Sequence, residues 1–232
     1  MYAVELNNLV KAYKKNVVLD SVNLKLEENK TAVFLGLDYS GKTTLAEIIS
    51  LIINPTSGTI KYFDKEVSTK DEIYNMVCFM PKTEGLSEHL TVFENLRLMA
   101  RTRGYSDKEA LDKIRELGVK YNLDSRFDDK VKTLSKSLKK LLSFLMCIIT
   151  NAPILVLDEP FSDIDVKMRK NLIKYIKELS GTKTIIITTE LPDTAKELNS
   201  SIYLLKNKTI EELNSSITLD ELEQLLLDLE VK

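Results

Sequence analysis

Gly36-Leu37-Asp38-Tyr39-Ser40-Gly41-Lys42-Thr43-Thr44 is the stretch that decides the fold. It fits the pattern G-x-x-x-x-G-K-[ST] of a phosphate-binding loop. Before it, Thr31 to Leu35 predicts a buried strand, and after it Leu45 to Ile52 predicts a helix, which is the context that the motif requires. A glycine turn that happens to carry a lysine is the alternative, and the flanking strand and helix argue against it. The pattern therefore predicts an α/β fold with a P-loop core, a mostly parallel sheet flanked by helices.

The chemistry expected of this loop is the binding of phosphate groups. Backbone N–H groups of such a loop and of the following helix N-terminus converge on one concavity, where the helix dipole favours negative charge. Lys42 would add a positive charge beside the terminal phosphates, and the hydroxyl of Thr43 is positioned to ligate Mg²⁺.

Composition restricts the class of protein. The chain has 232 residues with 33 Lys or Arg and 35 Asp or Glu, a net charge of −2, so a bulk nucleic-acid binder is not expected. One domain over 1–232 is predicted. The start of the sequence lacks the pattern of a signal peptide, and the longest apolar run, Leu141 to Ile149, is too short to span a bilayer. Cys78 and Cys147 are interpreted as small core residues in a reducing compartment.

The order of elements adds two features to the P-loop core. Met1 to Leu26 alternates apolar and polar residues, which predicts an N-terminal antiparallel β-subdomain. From about Leu86 to Thr150 nearly every segment has helical spacing, so a helical lobe is predicted between two core strands. Within it, Ser106 and Glu109 form the capping-box pattern of a helix that is expected to end at Leu117-Gly118.

A second candidate site element is the stretch Ile154 to Pro160. Its apolar residues predict a buried parallel strand, and Asp158 and Glu159 follow at the carboxyl end, where ligands bind in open α/β sheets. Asp158 is suited to holding Mg²⁺ and Glu159 to orienting or deprotonating a water molecule. The alternative is a pair of turn acids that cap the next helix, and the phosphate loop upstream favours the catalytic interpretation.

These motifs together resemble the ATP-binding subunit of an ABC transporter, over essentially the whole chain. Leu90 to Leu96 is similar to the stretch that opens the family's helical lobe, and Leu134-Ser135 lies where the family has LSGGQ, at the usual spacing before the acidic strand. Phe161 to Asp165 resembles the family's D-loop. Ala100 to Ser106 looks most like exporters that pair with a separate six-helix permease.

The resemblance implies a substrate, a metal and partners. The expected ligands are ATP and Mg²⁺, with Tyr13 stacking on adenine, which would contribute roughly 1–3 kcal/mol if it stacks as aromatic side chains do on bases. The family's dimer is head-to-tail, with each ATP between one chain's phosphate loop and the other chain's signature. A membrane permease is the further partner implied, which would place the chain in the cytoplasm, peripheral on the inner face of the cell membrane.

Several positions depart from the family pattern. The signature reads Leu134-Ser135-Lys136-Ser137-Leu138, without both glycines and the glutamine; these positions and Asp165 of the D-loop are expected to face a partner chain. Lys82 stands in the place of the Q-loop glutamine, and an ammonium group cannot ligate Mg²⁺ as an amide oxygen can. The switch histidine is assigned to Thr189, because the only histidine, His89, lies at the start of the helical lobe. Tyr39 replaces a common loop glycine.

Three functions remain open from the sequence. The first is an ATP-binding subunit that couples ATP to transport, with impaired hydrolysis and preferably in a heterodimer, where a partner's intact signature would complete one site. The second is a regulatory or scaffolding subunit with negligible turnover. The third is a small GTPase, because Gly36 to Thr44 resembles the loop of the ADP-ribosylation-factor type, although Lys206-Asn207-Lys208-Thr209 lacks the aspartate of a guanine motif.

Overall fold

A computed structural model describes every residue except Ser68, Glu84, Val231 and Lys232. The predicted domain 1–232 therefore includes four positions that lie outside the described residues. The strands are β1 (Tyr2–Tyr13), β2 (Asn16–Glu27), β3 (Thr31–Leu35), β4 (Ser57–Tyr62), β5 (Lys65–Glu66), β6 (Val77–Met80), β7 (Ile154–Asp158), β8 (Thr184–Thr189), β9 (Ser201–Lys206) and β10 (Thr209–Glu212). The helices are α1 (Lys42–Ile49), α2 (Lys70–Ile73), α3 (Val92–Thr102), α4 (Asp107–Tyr121), α5 (Lys136–Ile149), α6 (Val166–Leu179), α7 (Pro192–Glu197) and α8 (Leu219–Glu230).

A six-stranded sheet forms the centre, with strand order β10-β9-β3-β8-β7-β6. Neighbouring strands from β9 to β6 are parallel, and only β10 is antiparallel at the edge. Strands β3, β7 and β8 are buried along their whole length, as expected for runs of β-branched and apolar residues covered on both faces. The predicted P-loop core is confirmed.

The predicted N-terminal antiparallel subdomain is also confirmed. Strands β2, β1, β4 and β5 form a separate antiparallel sheet in that order. The residues of β3 alternate between two cores. Phe34 packs into the core shared with the antiparallel sheet and α1, whereas Val33 and Leu35 pack into the core shared with the helices between β6 and β7. Because β3 is packed on both faces, the phosphate loop that follows it begins at a fixed position.

The helical lobe lies between β6 and β7. Ser106 caps α4 with the capping box predicted for it, and Thr91 caps α3 with a capping box that the sequence analysis did not single out. The prediction that α4 ends at Leu117-Gly118 is wrong, because the helix continues to Tyr121 and ends at Asn122 in the left-handed conformation. Gly118 has a packing role instead: a Cβ atom there would lie 2.2 Å from Cζ of Phe127.

A groove separates the helical lobe from the edge of the parallel sheet. It has a volume of about 500 Å³ and is lined by side chains of β6, α2, α3 and α5, among them Tyr74, Arg103, Met99 and Met146. In the described part of the chain, no helix is long and apolar enough to cross a membrane.

Candidate nucleotide-binding site

The phosphate loop connects β3 to α1. Gly41 precedes the helix with φ 104°, a left-handed conformation that L side chains rarely adopt. At Gly36 a Cβ atom would lie 2.6 Å from Oγ of Ser40, so the loop closes tightly on itself. Tyr39 is fully exposed with φ 64° and does not fill the loop. Gly41 is therefore required by the backbone path, and Gly36 leaves room for the Ser40 side chain.

Lys42 crosses the loop. Its Nζ donates to the carbonyl oxygens of Gly36 and Leu37, each at 2.9 Å, and lies 3.3 Å from Oε1 of Glu159. The side chain is 5% exposed. A buried ammonium group needs such partners, and here they hold it at the mouth of helix α1, where no acidic side chain lies in the first turn.

Asp158 and Thr43 form the oxygen-rich side of the site. The hydroxyl of Thr43 donates to Oδ2 of Asp158 at 2.9 Å, and the hydroxyl of Thr188 donates to Oδ1 at 2.5 Å. Asp158 is 1% exposed. The structure thus brings the two predicted Mg²⁺ residues together, and Thr188, which the sequence analysis did not single out, fixes the carboxylate from the neighbouring strand β8, where it is paired with Asp158.

Glu159 follows Asp158 in a strained backbone conformation. Its φ is 48°, unusual for a side chain of this size, and its N–H donates to both the carbonyl and the hydroxyl oxygen of Thr188. Burial raises the pKa of the Glu159 carboxyl, Lys42 acts to lower it, and the charge of Glu190 raises it again, so the pKa lies above its ordinary value. Among the described residues Oε1 has no hydrogen-bond partner, only the ion pair with Lys42.

Lys82 lies in the segment after β6, and its side chain is next to the phosphate loop. Its Nζ lies 3.7 Å from Oδ1 of Asp38, and both side chains are largely exposed. Partial burial acts to lower the pKa of Lys82, but the carboxylates of Glu159, Asp38 and Glu190 raise it on balance. The residue at the predicted Q-loop position is therefore a cation among acids at the edge of the loop.

Thr189 and Glu190 follow each other at the end of β8. Thr189, the predicted switch position, is fully buried, and its hydroxyl oxygen accepts from the backbone N–H of Leu191. The charge of Glu190 acts on both Glu159 and Lys82. Sequence reasoning missed Glu190; the signal that could have found it is its place directly after a parallel strand, at the edge where ligands bind.

The predicted partner-facing positions lie at the start of α5. Ser135 caps the helix by accepting from the N–H of Leu138, and Lys136 is exposed, with Nζ 3.5 Å from Oδ2 of Asp163. Ser137 turns inward: its hydroxyl donates to Asp165 at 2.5 Å and accepts from the Asp165 N–H at 3.1 Å. Leu138 is half-buried against the core. Of this stretch, Ser135 and Lys136 are the exposed side chains.

A cavity of about 440 Å³ lies beside the phosphate loop. Its lining includes Lys42, Thr43, Lys82 and Glu159, and on the other side Asn16 and Val18 of β2, which the sequence analysis did not single out. Tyr13 is not part of this lining. It lies half-exposed at the end of β1, with Nζ of Lys11 5.0 Å from its ring centroid. Its stacking on adenine stays a prediction.

The residues present fit a nucleoside triphosphate with Mg²⁺. A helix N-terminus preceded by a glycine, the Lys42 ammonium and the loop N–H groups suit phosphate. Oε1 of Glu159 is buried and, within the described residues, has only the ion pair to Lys42, so it could accept from a water molecule. Mg²⁺ is commonly bound by one or two protein oxygens together with substrate phosphates. Thr43 and Asp158 provide such oxygens, and no cluster of three or more His, Cys, Asp or Glu suited to a metal occurs within the described residues.

Comparison with known proteins places this site in a family. A model of the family described as ABC transporter matches residues 19–162. The sulfate/thiosulfate import ATP-binding protein CysA of Bradyrhizobium diazoefficiens is 30% identical over 91% of this chain and 63% of its own length. The Nod factor export ATP-binding protein I of Cupriavidus metallidurans is 27% identical over 87% of this chain and 67% of its own length. The chain thus spans about two thirds of the length of these relatives.

Solved structures agree on the fold. A dimeric structure of a post-hydrolysis state of an ATP-binding cassette, bound to ADP and Pi, superposes with a TM-score of 0.83 at 24% identity, covering 93% of this chain and 100% of that chain. At this level of identity the likeness concerns the path of the backbone: a phosphate loop, an antiparallel sheet and an inserted helical lobe in the same arrangement.

Proposed function

Because the chain belongs to the ABC transporter family, as an ATP-binding domain, we propose that it is a transporter subunit that binds ATP-Mg²⁺ and drives closure of a dimer coupled to a membrane permease, with weak hydrolysis of its own. The observation that carries this proposal is the joined set of Lys42, Thr43, Asp158 and Glu159 at the ends of β3 and β7. The subunit would work at the cytoplasmic face of the membrane.

We assign a role to each member of this set. Lys42 and the loop N–H groups bind the terminal phosphates, and Thr43 with Asp158 holds the metal side. Bound Mg²⁺ would neutralise charge on the phosphates. Glu159 orients or deprotonates the attacking water, and its raised pKa makes it a stronger base than an ordinary carboxylate. Release of Glu159 from Lys42 when phosphate arrives would free the carboxylate for this role.

Weak hydrolysis is proposed from the charges around the terminal phosphate. Lys82 and Glu190 stand as a cation and an acid close to Glu159, where the family pattern provides a glutamine and a histidine. We place the switch position at Glu190, rather than at the fully buried Thr189. Loss of one preorganised group commonly lowers a rate by about 10²–10³. Such losses are not additive when groups act as a unit, but even one would bring turnover close to background.

Two surfaces would serve the partners. The groove between β6 and the helical lobe is a concave, largely apolar surface next to the segment that carries Lys82, so a permease segment bound there would influence the nucleotide site. Ser135 and Lys136 would face the nucleotide of a second ATP-binding subunit. A heterodimer is favoured because a partner with a glycine signature would complete the site that Lys42 and Glu159 begin.

The test compares nucleotide binding with turnover on the purified chain. We expect calorimetry to give ATP-Mg²⁺ binding that Lys42→Ala weakens by about 100-fold, and phosphate release well below the ordinary range of about 1 s⁻¹. ATP bound without measurable release, alone and with a permease, would favour the regulatory or scaffolding subunit. Tighter binding of GTP than of ATP would favour the small GTPase instead, and the absence of any nucleotide binding would refute the proposal.

A further inference from the structure

The two cysteines of the chain lie against each other. Cys78 is on β6 and Cys147 is near the end of α5, 69 residues apart in sequence, and their Sγ atoms are 3.0 Å apart. Both are free thiols in this structure. Since the full sequence contains only 2 cysteines, they form one isolated pair.

The pair is open to small molecules in spite of its burial. Both side chains line the groove of about 500 Å³ between β6 and the helical lobe. Cys78 is 4% exposed and Cys147 is 2% exposed. The groove is therefore the route by which a small disulfide would reach the pair, and Cys78 is the slightly more exposed of the two residues.

Arg103 lies beside Cys78. Its Nη2 donates to the carbonyl of Val77 at 3.3 Å, and its guanidinium lies 4.2 Å from the ring centroid of Tyr74. Within the described part of the chain, its buried Nε and Nη1 have no hydrogen-bond partner. A buried cation with unused donors next to a thiol stabilises the thiolate form, which is the reactive one.

The thiols differ in acidity. The hydrogen bond between the two thiols lowers the pKa of the Cys78 thiol, burial raises it and Arg103 lowers it, and on balance the pKa lies below its ordinary value. The same hydrogen bond and burial raise the pKa of Cys147. Cys78, which follows the Val77 carbonyl held by Arg103 and is the more exposed of the two, is placed as the attacking thiol, and Cys147 as the resolving thiol.

We propose that Cys78 and Cys147 are a redox site that closes to an intramolecular disulfide by exchange with a low-molecular-weight disulfide of the oxidised-glutathione class. The Cys78 thiolate attacks one sulfur of the small disulfide, forms a mixed disulfide and releases one thiolate. Cys147 then loses its proton and its sulfur attacks Sγ of Cys78, expelling the second thiolate. Two protein thiols are oxidised and one small disulfide is reduced to two thiols.

The bond would join two parts of the molecule that contact each other only through side chains. Strand β6 leads into the segment of Lys82 at the phosphate loop, and α5 begins at Lys136 on the exposed signature stretch. The disulfide would fix the helical lobe to the parallel sheet. This claim goes beyond the proposed function, since it concerns the fold whether or not ATP is hydrolysed.

The experiment uses the full chain and oxidised glutathione as the probe. After incubation and removal of the probe, we expect denatured protein to have lost both titratable thiols, with an intact mass lower by two hydrogens and no covalent dimer on a non-reducing gel. The melting temperature should rise by roughly 5–10 °C and return when dithiothreitol is added. Cys147→Ser should stop at a single glutathione adduct on Cys78, because the resolving thiol is gone.

A second variant tests the role of the cation. Arg103→Gln should slow closure severalfold, since loss of the guanidinium raises the pKa of the Cys78 thiol and lowers its thiolate fraction. Its melting temperature under reducing conditions serves as the control for folding. Two thiols still titratable after incubation, two separate glutathione adducts, or a covalent dimer would each overturn the proposal.

Discussion

Lys42 and Glu159 form a buried ion pair at the centre of the nucleotide site, with Nζ 3.3 Å from Oε1 and only 5% and 2% of the side chains exposed. The residue proposed to hold phosphate and the residue proposed to act on water thus neutralise each other in this structure. A phosphate that binds Lys42 has to compete with a carboxylate already there. Nucleotide binding and release of Glu159 are therefore coupled.

Lys42→Ala should lower ATP affinity by about 100-fold, because a charged hydrogen-bonding group at the phosphates is lost. Isothermal calorimetry with ATP-Mg²⁺ measures this. Lys170→Ala, which removes an exposed lysine from α6, is the matched control and should bind as the natural chain does. Equal affinity in Lys42→Ala and Lys170→Ala would show that the loop is not the phosphate site.

Glu159→Gln should keep ATP binding and lower the remaining turnover by roughly 10²–10⁴, since the amide cannot accept a proton from water. Steady-state phosphate release and calorimetry on the same preparation separate the two effects. Glu178→Gln on α6 provides the control for loss of a carboxylate elsewhere. Unchanged turnover in Glu159→Gln would mean that another group acts on water.

Glu159 should also make stability depend on pH. Its pKa in the folded chain lies above the value of 4.5 for an unperturbed group. The folded state therefore binds the Glu159 proton more tightly than the unfolded state does. The stabilisation that comes from this protonation is fully present below pH 4.5 and is lost as the pH rises through the raised pKa of the folded state. The melting temperature of Glu159→Gln relative to the natural chain should increase over that window; a difference that is flat with pH would contradict the assignment.

Lys82→Gln combined with Glu190→His should raise phosphate release by about tenfold or more, because it restores a metal-ligating amide and an imidazole beside the terminal phosphate. The same two kinds of change at exposed positions of α6 and α7, Lys170→Gln with Glu197→His, are the control. Should turnover remain at the level of the natural chain, the weak hydrolysis would have to originate at the signature.

Ser137→Ala should lower the free energy of unfolding by about 1 kcal/mol, because Asp165, at the start of α6, loses the hydroxyl of the buried Ser137 as its hydrogen-bond partner. Urea denaturation followed by circular dichroism measures the change. Thr133→Ala, a hydroxyl that contacts only the local backbone, is the comparison and should cost less. A smaller effect for Ser137→Ala than for Thr133→Ala would argue against a link between α5 and α6.

Local patterns were sufficient to predict which residues lie together at the candidate site. The strand, loop and helix around Lys42 and the acids after β7 depend on short-range sequence signals, and the structure brings them together because parallel strands end at one edge. The end of α4 was mispredicted because Gly118 does not end the helix. It makes room for the ring of Phe127, which belongs to a later segment. Thr188 and the cysteine pair were missed for the same reason, because their partners are far away in sequence and are fixed by the register of strands and the docking of α5. Glu190 was missed although its position after β8 is a local signal.

Helix α5 has a consequence that reaches beyond this chain. It is one unbroken helix of 14 residues, with the exposed Lys136 in its first turn and Cys147 in its last, about 16 Å further along the axis. A helix of this length moves as a rigid body, so a disulfide at Cys147 limits the positions that Lys136 can take. If Lys136 faces the nucleotide of a neighbouring subunit, the oxidation state of the two cysteines in one chain limits how closely its Lys136 can approach the neighbour's phosphates. The redox potential of the surroundings would then affect the nucleotide sites of the dimer.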